Sequence, residues 1–535
     1  MAKNITRVYL LDVPLENDYK NTLYFASASA QQTYFQSKVV KSYTDFSYQR
    51  KDNIIRIPEE YDDIYNVNYV MYQNTAYSNK WFYAFIKELK YVNDGMTEAV
   101  IETDVIQTWL FDYNLKASFI EREHVSDDTV GLNTYPENLE TGDYIINEMV
   151  NFSWFNEYYI VMGVATILSD IQGASENTLY NGIYSGLKYL VFKDATNCSN
   201  MIKYYSAGYQ EQIYCIFMIP KKLSSNTTWY NIPFTISGSQ VYIEYGIEPN
   251  SSLPKEMDNY DILINTTLNE YTPRNNKLKC YPYNYLYITN NNGTDAVYNY
   301  EDFDGIPNFI IDGVITPGCS IKLYPTNYKK YKNATFPNIE FNYGITAGKY
   351  PTCSWTSDAY TNWLTQNGVN NAVSLGTNAL KVIGGAGAMM MTAGAGTLIG
   401  GGLIASGLSG ITNSLVNIHE HSFTPGQSNG NINSGDVNTS SNMNYFTGFK
   451  MSIKQEYAKI IDGFFDMFGY KVNAVKVPNT NHRARWWYTK TIDASIDGNI
   501  PDIDIQKIKD CYNSGIRFWR NATEIENYSL ANGIV

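Results

Sequence analysis

Most of the chain is written in short runs where apolar and polar residues alternate, separated by clusters of Asn, Gly, Pro and Ser. A period of two marks strands with one buried face. Ile5–Asp12 predicts a first strand that stops at Pro14, and Asn17–Thr22 a turn. Tyr24–Val40 fits a strand or a short helix, and Ile54–Ile57 and Ile64–Gln73 read as further strands. The clearest element is a hairpin: Trp81–Val92, the turn Asn93-Asp94-Gly95, then Thr97–Trp109. Asp-Gly between two strand-like runs favours a tight reversal. On its second strand Ala99, Ile101 and Val105 alternate with Glu98, Glu102 and Asp104, which puts these carboxylates on the face opposite the aliphatics. Further strands are predicted at Tyr158–Leu168, Gln212–Ile219, Val241–Ile247, Tyr283–Thr289, Phe309–Ile315 and Phe446–Glu456, with room for a helix in Thr178–Phe192. Tyr457–Phe468 fits an amphipathic helix with Ile460, Ile461, Phe464, Phe465 and Phe468 on one stripe and Gly469 as its stop. Asp502–Asn513 fits a second, with Ile505, Ile508 and Tyr512 inward and Gly515 after it. The fold class that follows is mainly β with a few helices.

One stretch breaks this pattern. Val382–Ile418 carries no charge, and none occurs between Lys381 and Glu420. It is about twice the roughly 20 residues that span a bilayer as a helix. Small residues outnumber large aliphatics, and its glycines would penalise a helix in water by on the order of 8–10 kcal/mol relative to alanine. A stable free helix is therefore excluded, yet the run is too apolar for a solvated loop. Three readings compete: a buried glycine-rich core element, a permanent anchor, and a segment sheltered in one state and transferred to lipid in another. Permanent spans are richer in leucine and carry basic flanks. Small-xxx-small spacings such as Gly396–Gly400 and Gly402–Ser406 allow close helix approach in lipid. The positions expected to meet lipid are Ile383, Gly384, Gly385, Met389, Met390, Met391, Leu398, Ile399, Leu403, Ile404, Leu408, Ile411 and Leu415. Behind the run, Thr424–Asn444 has the Gly/Asn/Ser composition of a linker. The expected organisation is 1–128, a middle β-rich region 129–355, a long loop 356–445, and a C-terminal part 446–535 that packs back on the first region.

The chain has 535 residues, enough for several domains, and a formal net charge of −13. That charge argues against a protein that grips nucleic acid through its phosphates, although not against one that lets nucleic acid slide past. The 48 tyrosines favour strands and broad contact surfaces. Cys198, Cys215, Cys280, Cys319, Cys353 and Cys511 are scattered without a CxxC, so free thiols are expected. The N-terminal run is interrupted by Asp12 and Pro14 and does not read as a secretory signal, which predicts synthesis in a cytoplasm.

Candidate chemistry is sparse. His419-Glu420-His421 suggests a metal pair, but the i, i+2 spacing matches no common helical zinc motif. A phosphate-loop pattern is missing from the sequence, the glycines of the apolar run lack the strand-then-helix context and the downstream acid of a dinucleotide site, and no cofactor is expected. Glu59–Glu60 and Glu121–Glu123 could serve a wall-degrading glycosidase, the alternative enzyme reading. Asn481–Tyr488 is a basic-aromatic cluster that reads first as a packed edge and second as a nucleic-acid contact. A purely architectural or receptor-binding protein with the apolar run in its core is a further alternative.

Several runs together resemble a known family. They are Asp12-Val13-Pro14 with Asn17–Thr22, Asn79–Phe85, Asp104–Trp109, Ser118–Val125, Lys454–Tyr457 through Phe464-Phe465, Phe468–Lys471, Gly515-Ile516 with Trp519, and Asn527-Tyr528-Ser529. They are similar to the distal tail knob proteins of small short-tailed phages of Gram-positive hosts, the phi29-like podoviruses. The resemblance covers roughly the first 125 and last 90 residues. It implies a non-enzymatic virion protein at the tail tip, in a β-rich homo-oligomeric tube, a hexamer, joined to the lower collar and tail tube. It also implies that the apolar loops plug the bore and then form a pore in the host membrane for DNA ejection. In such a tube Glu98, Glu102 and Asp104 are candidates for an acidic lining.

Overall fold

The structure is a computed structural model. It describes residues 6–46, 53–74, 80–152, 158–173, 179–180, 183–184, 187–209, 212–224, 227–236, 238–247, 255–291, 293–313, 315, 321–329, 343–347, 352–354, 431–432 and 446–535. Strands dominate, and the chain divides into two compact units.

The first unit is assembled from three pieces of chain: 1–142, 270–280 and 454–535. Its six-stranded antiparallel sheet runs Val39–Phe46, Thr6–Leu11, Tyr69–Asn74, Trp81–Asn93, Met96–Thr103, Ile54–Ile57. The expected hairpin is its centre. Its five-stranded sheet runs Asn21–Leu23, Ile516–Trp519, Trp486–Asp493, Ser118–Glu123, Tyr470–Lys476, and only the first pair is parallel. Two apolar clusters fill the unit, one around Ile101, Ile106 and Trp487, the other around Phe35, Tyr69, Trp486 and Trp519. The open choice at Tyr24–Val40 resolves as a helix, Ala28–Gln36, because the Ser27 side chain accepts from the Ala30 N–H and caps it.

The helix Gln455–Phe468 ends where expected. Gly469 has a φ of +64°, and a Cβ there would lie 2.1 Å from the Glu123 carbonyl oxygen, so only glycine fits. The buried stripe is rotated from the predicted one. Ala458, Ile461, Asp462 and Phe465 face inward, and Ile460 is 69 % exposed. The rotation follows from a carboxylate that the pattern alone assigns to solvent. Asp462 is fully buried and accepts from the Tyr271 hydroxyl at 2.7 Å, the Arg274 N–H at 2.8 Å, the Asn275 N–H at 3.1 Å and the Asn275 side-chain amide at 2.8 Å. Segment 270–280 is thus clasped to the helix. Next along it, Asp128 accepts from the Asn276 N–H at 3.0 Å, and buried Lys277 pairs with Glu137, which also pairs with Arg122.

The second unit comprises 143–269 and 281–453. A seven-stranded antiparallel sheet runs Thr228–Ile236, Ser239–Ile247, Lys188–Phe192, Tyr158–Val164, Ile213–Pro220, Thr352–Ser354, Asn431–Ile432. A four-stranded sheet runs Tyr144–Asn151, Thr447–Ile453, Asn284–Thr289, Asp295–Asn299, and another Lys255–Asp261, Asn308–Gly313, Ile321–Pro325, Ile345–Thr346. One large cluster forms its core, with Ile216, Phe217 and Met218 fully buried. Among the described residues of Thr178–Phe192 there is no helix: Lys188–Phe192 is a strand. The helix is Ala195–Ser206, capped by Asp194, whose side chain accepts from the Asn197 N–H at 2.8 Å.

Removing the clasp leaves several buried donors without an acceptor. Asp462→Ala should therefore destabilise the first unit by ~3–5 kcal/mol, read from denaturant midpoints, and Asp462→Asn, which keeps one acceptor, by less.

Candidate functional site

The acidic hairpin comes first. In the strand Met96–Thr103, Thr97, Ala99 and Ile101 are buried, and Glu98, Val100 and Glu102 face out. The predicted alternation holds to Thr103 and then stops. Asp104 does not share the carboxylate face: it is 1 % exposed and caps a short helix, Val105–Trp109, where a strand was expected. Its side chain accepts from the Gln107 N–H at 3.0 Å and the Tyr69 hydroxyl at 2.8 Å. An Asp before a run of good packing residues offers the backbone a cap that a strand cannot use. Burial pushes the Asp104 carboxyl up to about 6, against the pull of those hydrogen bonds. A side chain so enclosed within the subunit cannot line a bore.

The two half-buried outward carboxylates are not bare. Glu98 pairs with Arg56 at 2.8 Å, and Glu102 with Lys87 at 2.6 Å and Lys507 at 3.4 Å. The Lys87 hydrogen bond holds the Glu102 carboxyl below its usual range. Glu88 and Lys90 pair on the same hairpin at 3.1 Å. The face is therefore of mixed charge, where the sequence suggested an acidic one, because the basic partners come from other strands and from a helix some 400 residues on.

The other acidic pairs have separate structural partners. Glu59 pairs with Lys41 at 3.1 Å and accepts from the Tyr43 hydroxyl at 3.0 Å. Glu121 pairs with Lys490 at 2.9 Å, whereas buried Glu123 pairs with Lys476 at 2.5 Å and accepts twice from Asn479. The basic-aromatic run Asn481–Tyr488 packs inward: Trp486 is fully buried and Arg483 donates to the Val125 carbonyl. Cys198, Cys215, Cys280 and Cys511 are buried free thiols. Among the described residues no group of three or more His, Cys, Asp or Glu gathers as a metal site, and no helix is long and apolar enough to cross a membrane.

The base of the apolar segment belongs to the second unit. Thr352–Ser354 pairs with the packed strand Ile213–Pro220, and Asn431–Ile432 pairs antiparallel with Thr352–Ser354. Ser354 and Asn431 are register partners, so the chain leaves and re-enters the sheet at neighbouring positions. Strands so paired lie about 5 Å apart. The lipid-facing candidates from Ile383 to Leu415, and His419 and His421, lie outside the described residues.

Comparison with known proteins places these features. A family model described as Bacillus phage phi29, Tail knob protein gp9, C-terminal domain matches residues 246–533, more than half of the chain. The chain belongs to the phi29 tail knob family. A second model, the caudoviral major tail protein N-terminus, matches residues 4–114. The tail knob protein gp9 of Bacillus phage phi29 is 26% identical over 598 residues, covering 98% of this chain and 97% of the relative. That of Bacillus phage B103 is 26% identical over 605 residues with the same coverage. The solved tail knob protein gp12 of bacteriophage C1 shares the fold, with a TM-score of 0.64 at 15% identity, covering 99% of this chain and all of the other. Family membership makes this tail knob chain a structural component of the virion, at the distal tip of the tail and assembled with other tail proteins.

The Asp104 cap has a measurable consequence. Its folded-state pKa of about 6 exceeds an unfolded value near ~3.9, so its stabilisation is fully present below the unfolded pKa and is lost as pH rises from about 4 through 6. Asp104→Asn should flatten the stability profile over that interval, measured by urea denaturation at several pH values. Asp104→Ala should flatten it as well, with a cost that is largest near pH 4, at least about 1–2 kcal/mol for the lost cap, and declines as pH rises through 6.

Proposed function

We propose that the chain forms a homo-oligomeric tube, a hexamer, that conducts the genome through the tail tip. Its apolar segments occupy the bore before infection and enter the host membrane during it, opening a pore for DNA. The observation that carries this reading is the uncharged, glycine-laden run Val382–Ile418. Such a run is a poor helix in water and a poor loop, and it gains most by moving from a sheltered place into lipid, where backbone hydrogen bonds must close internally.

The paired base supports the reading mechanically. Two strand ends held in register at the end of a sheet let the intervening chain change surroundings without unfolding the sheet it leaves from. The neutralised outer face of the hairpin is also compatible with DNA passage, since a surface of balanced charge releases few counterions and holds phosphates weakly.

Deleting Ile383–Leu415 should leave ring assembly intact by electron microscopy and abolish leakage of dye-loaded anionic liposomes. Full leakage by the deletion variant would remove the membrane role from this segment.

A further inference from the structure

The helix Gln455–Phe468 ends among donors supplied by other elements of the first unit. The Asp466 carbonyl receives the Trp486 indole N–H at 2.7 Å and lies 3.1 Å from His124 Nε2. The Met467 carbonyl receives Arg517 Nε at 3.1 Å and Nη2 at 2.7 Å, and the Gly469 carbonyl receives Arg122 Nη1 at 2.7 Å. The last carbonyls of a helix must find such donors outside it. Indole and guanidinium donors do not titrate near neutrality, and imidazole does.

The imidazole is caught between a donor and an acceptor. His124 is 3 % exposed, and its Nδ1 accepts from the Tyr488 N–H at 2.7 Å, which leaves the ring proton on Nε2, facing the Asp466 carbonyl. In an imidazolium both nitrogens carry protons. A proton on Nδ1 would point straight at the Tyr488 N–H, so the charged ring does not fit the place that the neutral ring fills. Its surroundings do not reward the charge. Arg483 and Arg517 repel it. The neighbouring carboxylates have other partners: Asp466 pairs with Arg274 and accepts from the Asn275 side-chain amide at 2.9 Å, Glu123 pairs with Lys476 at 2.5 Å, and Asp128 accepts from the Tyr470 hydroxyl at 2.6 Å. The Tyr488 phenol ring packs edge-on against Phe468. We propose that His124 is an acid-operated latch on the end of this helix: a proton taken from solvent at Nδ1 ejects the ring from between the Tyr488 N–H and the Asp466 carbonyl, and the last helical turn parts from the strand Trp486–Asp493. The latch is independent of the apolar segment and of the membrane role.

Burial and the two arginines hold the His124 pKa well below its ordinary value. The neutral ring therefore stabilises fully above the unfolded value near ~6.5, and that contribution is lost as pH falls below it. Asp104 and Asp466, each pushed up to about 6 by burial, act with the opposite sign, so a global midpoint mixes the two and the readout must be local. The test is amide hydrogen exchange of the full chain by mass spectrometry between pH 6.5 and 4.5, corrected for the intrinsic rate, with exchange at the His124 ring C2 position followed in the same samples. Peptides over Phe464–Gly469 and Trp486–Tyr488 should lose protection by about 10-fold per pH unit, in step with the ring, while the hairpin Trp81–Thr103 keeps its own. His124→Gln, which keeps a donor for the Asp466 carbonyl and does not titrate, should show no such loss. If circular dichroism shows that it does not fold, His124→Asn, which keeps an acceptor for the Tyr488 N–H, takes its place, and if neither folds the wild-type pattern decides alone. Equal protection at both ends of the pH range, a loss shared by the hairpin, a loss that the folded variant retains, or ring exchange out of step with the amides would each overturn the assignment.

Discussion

A single carboxylate with no access to water decides how the two ends of this chain are brought together. Taking Asp462 out of water costs several kcal/mol, and the cost is met only when its oxygens are fully hydrogen-bonded. Here they are, and the donors lie almost 190 residues away, in segment 270–280. Around it a second layer repeats the device. Asp466 pairs with Arg274, and its backbone oxygen receives the Trp486 indole N–H at 2.7 Å and faces His124 Nε2 at 3.1 Å. His124 Nδ1 accepts from the Tyr488 N–H, so the ring is neutral with its proton on Nε2, and burial holds its pKa well below the usual value. The helix, the central strand of the smaller sheet and the inserted segment are therefore fixed by polar groups that tolerate no slippage.

On the proposed function, one part of the protein stays rigid while another changes solvent. Among the described residues the sheets of the first unit are built from its own strands. In the second, the strands Thr352–Ser354 and Asn431–Ile432 on either side of the apolar run pair through their backbones.

Much of this was legible in the sequence. The hairpin Trp81–Thr103, the two C-terminal helices and the glycines that end them followed from local rules: alternation, amphipathic period and positive φ. What was not legible depended on distant partners. Asp104 looked like one more outward carboxylate because nothing local reveals the Tyr69 hydroxyl that receives it. Ile460 looked buried because Asp462 looked exposed, and only the inserted segment reverses the two. The mixed charge of the hairpin face depends on Arg56 and Lys507, which no period in the hairpin foretells.

The central claim is that the apolar run changes environment while the folded units do not. It is tested most directly by an environment-sensitive fluorophore on a cysteine placed at Leu403, with a second labelled protein carrying it at exposed Tyr65 as reference. On adding anionic vesicles under conditions that permit leakage, emission from position 403 should shift to the blue and be quenched by bromines on the acyl chains, while position 65 stays unchanged. Emission from position 403 that is identical with and without vesicles, and untouched by the lipid quencher during leakage, would contradict the account.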